Sequence, residues 1–190
     1  MTTRPLLLGL AVAAAAAARL LPHLPNVTPV VAMALFGGAA FASRRAAFLV
    51  PLAAMVVSDA AIAALSGDLT RGFHPVAPFV YSAVAAVTAI GLRLGRRRGV
   101  LAVGAASVAS SVVFFLVTNL GVWVALSLYP ETLAGLGACY AAGVPFFRNA
   151  LLGDAVFVGL MFGTLALVER RVARLAPAEG PLAPAEVRVR

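Results

Sequence analysis

The stretch LAVGAASVASSVVFFLVTNLGVWVAL, residues 101–126, decides the fold class because its 26 residues include no charged side chain. A helix needs about 20 consecutive apolar residues to cross the hydrocarbon core of a bilayer. Further apolar segments flank this stretch, roughly over residues 5–21, 28–42, 46–65, 75–92 and 145–168. The sequence therefore predicts an all-α, polytopic membrane protein with six transmembrane helices.

The composition supports this class. The 190 residues are 62% hydrophobic and only 12% charged, an apolar excess that one water-soluble domain of this length could not bury. We predict a single transmembrane domain over residues 1–174. The tail, residues 175–190, is rich in proline, alanine and charge, and is predicted to be disordered and cytoplasmic. The apolar N-terminal run resembles a signal peptide, but we interpret it as an uncleaved first helix.

The arginines predict the orientation. With six spans, twelve of the 15 basic residues fall on one side, and basic residues in short loops stay in the cytoplasm. Both termini are therefore predicted to be cytoplasmic, in a bacterial cytoplasmic (inner) membrane. No basic face is interleaved with aromatic residues, so nucleic acid is not a predicted partner. The twelve are Arg4, Arg44, Arg45, Arg93, Arg96, Arg97, Arg98, Arg170, Arg171, Arg174, Arg188 and Arg190.

Several polar side chains lie within the predicted spans, where they are costly unless they face the protein interior or a water-filled cavity. Asp59, Asn119 and Asp154 are all predicted to lie in the outer half of the membrane. Arg19 and Arg148 fall near the same depth, where they could neutralise the two aspartates. These groups could be hydrogen bonds that join helices, or they could line a pocket open to the outside.

The connections predicted on the outer side, at residues 22–26, 66–75 and 127–145, carry varied polar and aromatic groups. Such loops commonly build binding sites on a rigid scaffold. Trp123 could instead be an interfacial anchor of the kind common in membrane proteins. The predicted substrate site comprises Asn119, Trp123, Tyr129, Tyr140, Asn149, Asp154, Asp59, His23, Asn26 and His74.

His23, His74 and Cys139 are the only imidazole and thiol groups in the chain. They are candidate metal ligands placed in the outer connections, but their spacing matches no metal-binding motif. No metal or other cofactor is therefore predicted. The sequence also shows no nucleophile with a base and an orienting partner, and no glycine-rich phosphate loop. We do not expect an enzyme.

The first helix carries a run of small residues, which includes several pairs spaced four apart. Such pairs let a second membrane helix approach closely. The alternative is a sequence that uses alanine freely throughout. The predicted contact surface for a partner helix comprises Ala11, Ala14, Ala15 and Ala18.

Four segments, taken in order, resemble an uncharacterised family of small bacterial integral membrane proteins. They are LPNVTPVVAMALFGGAAF, VPLAAMVVSDA, FFLVTNLGVWV and YPETLAGLGACYAAGVPFFRNALLGD. The resemblance covers most of residues 22–163 and is most specific from Phe114 to Asp154. That family resembles, more loosely, the substrate-binding S components of energy-coupling factor (ECF) vitamin transporters, including the solitary cobalamin-specific type.

The looser resemblance implies a six-helix bundle with an outward-facing pocket and a first helix that meets a transmembrane coupling subunit driven by ATPases. In the cobalamin-specific type, a cysteine in the loop after the third helix binds the cobalt. The corresponding loop here, residues 66–75, contains His74 instead of a cysteine, and Cys139 lies elsewhere. The loop therefore departs from the cobalamin-specific pattern. If a corrinoid is bound, the resemblance implies that it is a substrate and not a cofactor.

The sequence therefore predicts a membrane subunit that binds a vitamin or a similar small nutrient for uptake. Because it carries no nucleotide-binding motif, transport would need either an ATPase-driven partner or slow facilitated passage. Two alternatives remain open at this level. One is a non-transporting scaffold or accessory subunit, and the other is a small channel or proton-coupled carrier.

Overall fold

The structure, a computed structural model, describes residues 3–21 and 24–175. These residues form helices and connections without any strand, which confirms the all-α prediction. The predicted tail from residue 176 onward lies outside the described residues. The helices are α1 (Thr3–Ala18), α2 (Val30–Ala40), α3 (Arg44–Ser66), α4 (Leu69–Gly72), α5 (Ala77–Leu94), α6 (Val100–Ala125) and α7 (Leu133–Leu175).

Four segments among the described residues are long and apolar enough to cross a membrane: Arg44–Ser66, Leu69–Leu94, Val100–Ala125 and Leu133–Arg171. The helices at Arg4–Ala18 and Val30–Ala40 are apolar but shorter. The chain therefore has the helices of a membrane protein. The count of six crossings remains a prediction.

Helix α2 is the centre of the bundle. All 11 of its residues are buried, and α1, α3, α5, α6 and α7 all pack against it. At 1.5 Å per residue it is about 16 Å long, roughly half of the ~30 Å hydrocarbon core. The span predicted over residues 28–42 is therefore a short, fully enclosed helix that begins after Pro29.

Two glycines allow α2 to touch α5 directly. A methyl group on Gly38 would overlap the carbonyl oxygen of Thr88 and would lie 2.8 Å from Cα of Gly91. A methyl group on Gly91 would in turn overlap the carbonyl oxygen of Leu35. Small residues at such crossings let helix backbones come into contact.

Helix α7 begins earlier than expected. The outer connection predicted over residues 127–145 is wrong from Leu133 onward, because α7 is continuous through Pro145. Proline costs one intrahelical hydrogen bond, but this part of α7 is held against α6. The Tyr140 hydroxyl donates to the carbonyl oxygen of Leu116 at 2.9 Å. Packing thus extends the α6–α7 hairpin and leaves only a short connection.

Charged residues tie several elements together at one end of the bundle. Glu169, near the end of α7, accepts hydrogen bonds from Arg4 at 2.9 Å and from Arg98 at 3.1 Å. Arg98 also donates to the carbonyl oxygen of Ala39, close to the end of α2. We call the end defined by Arg4, Arg98 and Glu169 the arginine end. Helix α1 begins and α7 ends there.

Candidate functional site

A cleft of about 150 Å³ lies between α6, α7 and the connection that precedes α2. Asp154 lies 15 residues before Glu169, which places the cleft about 22 Å along α7 from the arginine end. Its walls combine polar side chains with aromatic rings. The lining residues are Asn26, Thr28, Val31, Ser111, Phe114, Phe115, Thr118, Asn119, Gly143, Phe146, Phe147, Ala150 and Asp154.

Asp154 is the charged group of this cleft, and only 3% of its surface is exposed. The Ser111 hydroxyl donates to its Oδ2 at 2.6 Å. Within the described residues Asp154 forms no ion pair. The prediction that Arg148 could neutralise it is wrong, because the Arg148 side chain is exposed and does not line the cleft.

Ser111 has two acceptors within reach but only one hydrogen to donate. Its Oγ lies 2.6 Å from Oδ2 of Asp154 and 3.0 Å from the carbonyl oxygen of Ser107. With an ionised Asp154, the hydroxyl donates to the carboxylate. With a protonated Asp154, the carboxyl can donate to Ser111, which then donates to Ser107. The same heavy-atom positions therefore accommodate both protonation states.

Two further polar side chains present acceptor oxygens to the cleft, and the Thr118 hydroxyl hydrogen and one of the two Asn119 amide hydrogens are used within α6. Nδ2 of Asn119 donates to the carbonyl oxygen of Phe115 at 2.9 Å, and the Thr118 hydroxyl donates to that of Phe114 at 2.8 Å. A methyl group built on Gly143 would lie 2.6 Å from Oδ1 of Asn119. The cleft thus depends on a glycine opposite this acceptor.

Four phenylalanines supply the apolar part of the lining, two from α6 and two from α7. The rings of Phe115 and Phe147 are 4.8 Å apart between centroids, and Phe115 also packs on Tyr140 at 5.8 Å. Tyr140, a predicted site residue, therefore supports the wall from behind without lining the cleft. Packed rings of this kind hold one another in place.

The connection before α2 forms the remaining side of the cleft. Asn149 donates from Nδ2 to the carbonyl oxygen of Pro25 at 3.2 Å, so this predicted site residue positions the connection. Asn26 and Thr28 of the connection line the cleft, and so does Val31 in the first turn of α2. Irregular backbone at membrane depth is tolerated where it lines a cavity. Because Thr28 and Val31 flank the start of α2, the positive end of its helix dipole lies at the cleft. The N-cap residue, Pro29, makes no side-chain hydrogen bond to this end.

Asp59, also predicted to bind substrate, belongs to a separate polar cluster. Its Oδ1 accepts from Arg19 at 2.6 Å, and its Oδ2 accepts from the Tyr81 hydroxyl at 2.6 Å. Arg19 also donates to Ser58. Arg19, predicted at the depth of the two aspartates, thus neutralises one of them. This cluster joins α1, α3 and α5, which is the role of polar groups between membrane helices.

The structure does not bring the other predicted site residues into the cleft. Nε1 of Trp123 donates to the carbonyl oxygen of Pro130 at 2.9 Å, which fastens the α6–α7 connection. Tyr129 lies in that same connection, while exposed His74 lies between α4 and α5. His23 lies outside the described residues.

Cys139 is a buried helical residue, although it was expected in a loop. Its thiol donates to the carbonyl oxygen of Asn119 at 3.4 Å. Within the described part of the chain, no three histidine, cysteine or acidic residues are grouped closely enough to hold a metal ion. Cys139 therefore supports the backbone of α6 behind the cleft.

The sequence contained a pattern that identifies part of this site. Ser107, Ser111 and Thr118 are spaced by four and seven residues, which places them on one face of α6. This polar face meets Asp154 on α7. The two pairs of adjacent phenylalanines did not indicate a cleft, because aromatic residues of a membrane helix can equally well face lipid.

The four alanines predicted to contact a partner helix share one surface. All of them line a groove of about 400 Å³ between α1 and α7, with Phe36 of α2 also in its lining. The groove is almost entirely apolar. Its proposed occupant is considered below. The four are Ala11, Ala14, Ala15 and Ala18.

The chain matches the profile of a family described as a family of unknown function (DUF6580), and the match covers residues 1–178. No curated protein and no solved structure matches the chain significantly.

Proposed function

The chain belongs to this family of unknown function, and from its cleft we propose that it is a membrane subunit that binds a small nutrient for uptake. The observation that carries the proposal is Asp154. A carboxylate within a membrane-spanning helix is costly, and an unpaired buried charge is strongly destabilising. In the described residues Asp154 has a hydroxyl partner but no basic one. A ligand that completes its interactions accounts for its place in the cleft.

The volume of the cleft favours a small ligand. Pockets for drug-sized molecules measure about 300–1,000 Å³, whereas a cavity near 150 Å³ accommodates benzene. The observed 150 Å³ therefore supports a vitamin fragment or a similar small nutrient over a corrinoid.

We propose that a partner energises delivery of the nutrient, because the sequence carries no nucleotide-binding motif with which the chain could power transport itself. We propose an S-component-like arrangement in which the groove between α1 and α7 receives a transmembrane coupling subunit driven by ATPases. The alanines along α1 and the apolar lining of that groove support this proposal. The twelve arginines and the arginine end support cytoplasmic termini in a bacterial inner membrane.

A proton-coupled carrier is the second candidate, and the position of Ser111 favours it. The Ser111 hydroxyl can donate its hydrogen to the Asp154 carboxylate when Asp154 is ionised, and to the Ser107 carbonyl oxygen when Asp154 is protonated. Liposomes loaded with a pH-sensitive dye distinguish the candidates, since only the carrier would move protons with its ligand. A purely structural protein would explain the cluster around Asp59, which joins helices, but it would not explain the cleft.

Filling the cleft tests the proposed function. We expect native mass spectrometry of the full-length protein, incubated with the small-molecule extract of its source cells, to show one bound non-lipid molecule. Gly143→Ala should reduce its occupancy by about tenfold, because a methyl group there meets Oδ1 of Asn119 at 2.6 Å and Phe115 at 2.9 Å.

Gly159→Ala is the matched control, because it adds the same methyl group to α7 where no atom lies within 4 Å. It should leave occupancy unchanged. Absence of any bound small molecule in the wild-type protein, or equal occupancy in both variants, would contradict the proposal.

A further inference from the structure

We propose that the ligand of this cleft is a small organic cation, with an ammonium group held by Asp154 and a compact apolar part held by the phenylalanines. This inference rests on the proposed function and specifies its substrate class.

The charge of the cleft is the first argument. Among the described residues that line the cleft, Asp154 is the one charged residue. Of the two arginines predicted at this depth, Arg19 is paired with Asp59 and Arg148 is exposed. The start of α2 supplies only about half a positive charge. The lining therefore carries a net negative charge, which favours a cation and disfavours an anion.

The hydrogen-bonding capacity of the lining is the second argument. The Thr118 hydroxyl hydrogen and one of the two amide hydrogens of Asn119 are donated to backbone carbonyls within α6, which leaves both side-chain oxygens as acceptors and one Asn119 amide hydrogen as a donor. The carboxylate of Asp154 accepts only. An ammonium group has three donors and no acceptor, so it is the complement of these oxygens. A neutral alcohol could satisfy only one of them with its single hydrogen.

The aromatic lining is the third argument. A cation near the face of a phenyl ring is attracted by the ring quadrupole, and the four rings also provide apolar contacts for the rest of the ligand. The volume of about 150 Å³ matches a single aromatic ring or its equivalent.

Three probes of similar size and different charge test the inference: benzylamine, benzyl alcohol and benzoate. Their binding to the full-length protein in lipid nanodiscs is measured by isothermal titration calorimetry. We expect benzylamine to bind at least about tenfold more tightly than either of the others, because a charge-assisted hydrogen bond to a buried carboxylate is lost without the ammonium. Asp154→Asn should abolish this preference.

Asp68→Asn is the matched control, since Asp68 is an exposed carboxylate that caps α4 away from the cleft. It should leave the preference intact. Asn119→Leu removes an acceptor and keeps the carboxylate, so it should weaken benzylamine several-fold more than benzyl alcohol. That variant decides the question if Asp154→Asn does not fold.

Equal or weaker binding of benzylamine, or a preference that survives both cleft substitutions, would overturn the inference. If benzyl alcohol or benzoate binds more tightly and Gly143→Ala weakens that binding, the proposed function stands and only the ligand class is wrong. If none of the probes binds, the ligand class is again wrong, and the mass-spectrometric test decides the proposed function separately.

Discussion

Arg19→Met is expected to lower the free energy of unfolding by about 3–5 kcal/mol, the usual cost of leaving a buried charge without its partner. The Arg19 and Asp59 side chains are only 13% and 7% exposed. Loss of the guanidinium would leave the carboxylate with the Tyr81 hydroxyl alone. Unfolding in mixed micelles, followed by circular dichroism, measures the change.

Two further variants separate loss of the ion pair from loss of packing. Arg148→Met removes an exposed arginine at a similar predicted depth and should change stability by less than about 1 kcal/mol. Arg19→Met combined with Asp59→Leu removes both charges and should recover most of the stability. A loss below about 1 kcal/mol for Arg19→Met alone would contradict the structural role assigned to this cluster.

Gly38→Ala is expected to destabilise the protein by about 3 kcal/mol, the upper part of the range for overpacked cores. The added methyl group would meet backbone atoms of Thr88, Gly91 and Leu92. Backbone atoms cannot rotate away as a flexible side chain can, so the α2–α5 contact has to open. The same unfolding assay measures the effect.

Gly104→Ala is the control for helix propensity. Gly104 lies within α6, where an added methyl group has no atom within 4 Å, and alanine there should stabilise by up to about 1 kcal/mol. If Gly38→Ala is as stable as Gly104→Ala, α2 is not packed against α5 as described.

The sequence predicted the helical class and placed Arg19 at the depth of the two aspartates, because hydropathy and depth along a helix are local properties; the pairing with Asp59 came from the structure. The sequence could not give the exact bounds of α2, which the hydropathy predicts over residues 28–42. Only packing determines that the helix is limited to Val30–Ala40 and is enclosed on all sides. The start of α7 was missed for a related reason. Glycines and Pro145 favour a connection locally, whereas contacts with α6 hold the segment in a helix.

The cleft, too, was predicted only in part from the sequence. Asp154, Asn119 and Asn26 were predicted from their polarity, and the structure brings them together. Trp123 and Tyr140 were equally plausible by composition, yet their polar atoms are hydrogen-bonded to backbone carbonyls outside the cleft. The small volume also escaped prediction, because it depends on where four phenylalanine rings meet.

Two features of the bundle meet at the cleft: the interrupted backbone before α2 and the buried carboxylate of Asp154. The interrupted backbone before α2 leaves space beside α6 and α7, and Asn149 fixes that backbone in place. Asp154 places a charge at the edge of this space, where the start of α2 lowers its cost. The cleft therefore arises where the central helix is too short to fill the bundle.

Accessibility of the cleft tests the central claim most directly. Thr118→Cys, in a Cys139→Ala background, places one thiol in the cleft lining, and Arg97→Cys places one on the exposed turn near the arginine end. In sealed, oriented vesicles, a membrane-impermeant thiol reagent should label Thr118→Cys from the periplasmic side only, and benzylamine should slow that reaction. Arg97→Cys should be labelled from the cytoplasmic side only. Labelling of Thr118→Cys from the cytoplasmic side, or the same rate with and without every small-molecule ligand tested, would contradict an outward-facing binding cleft.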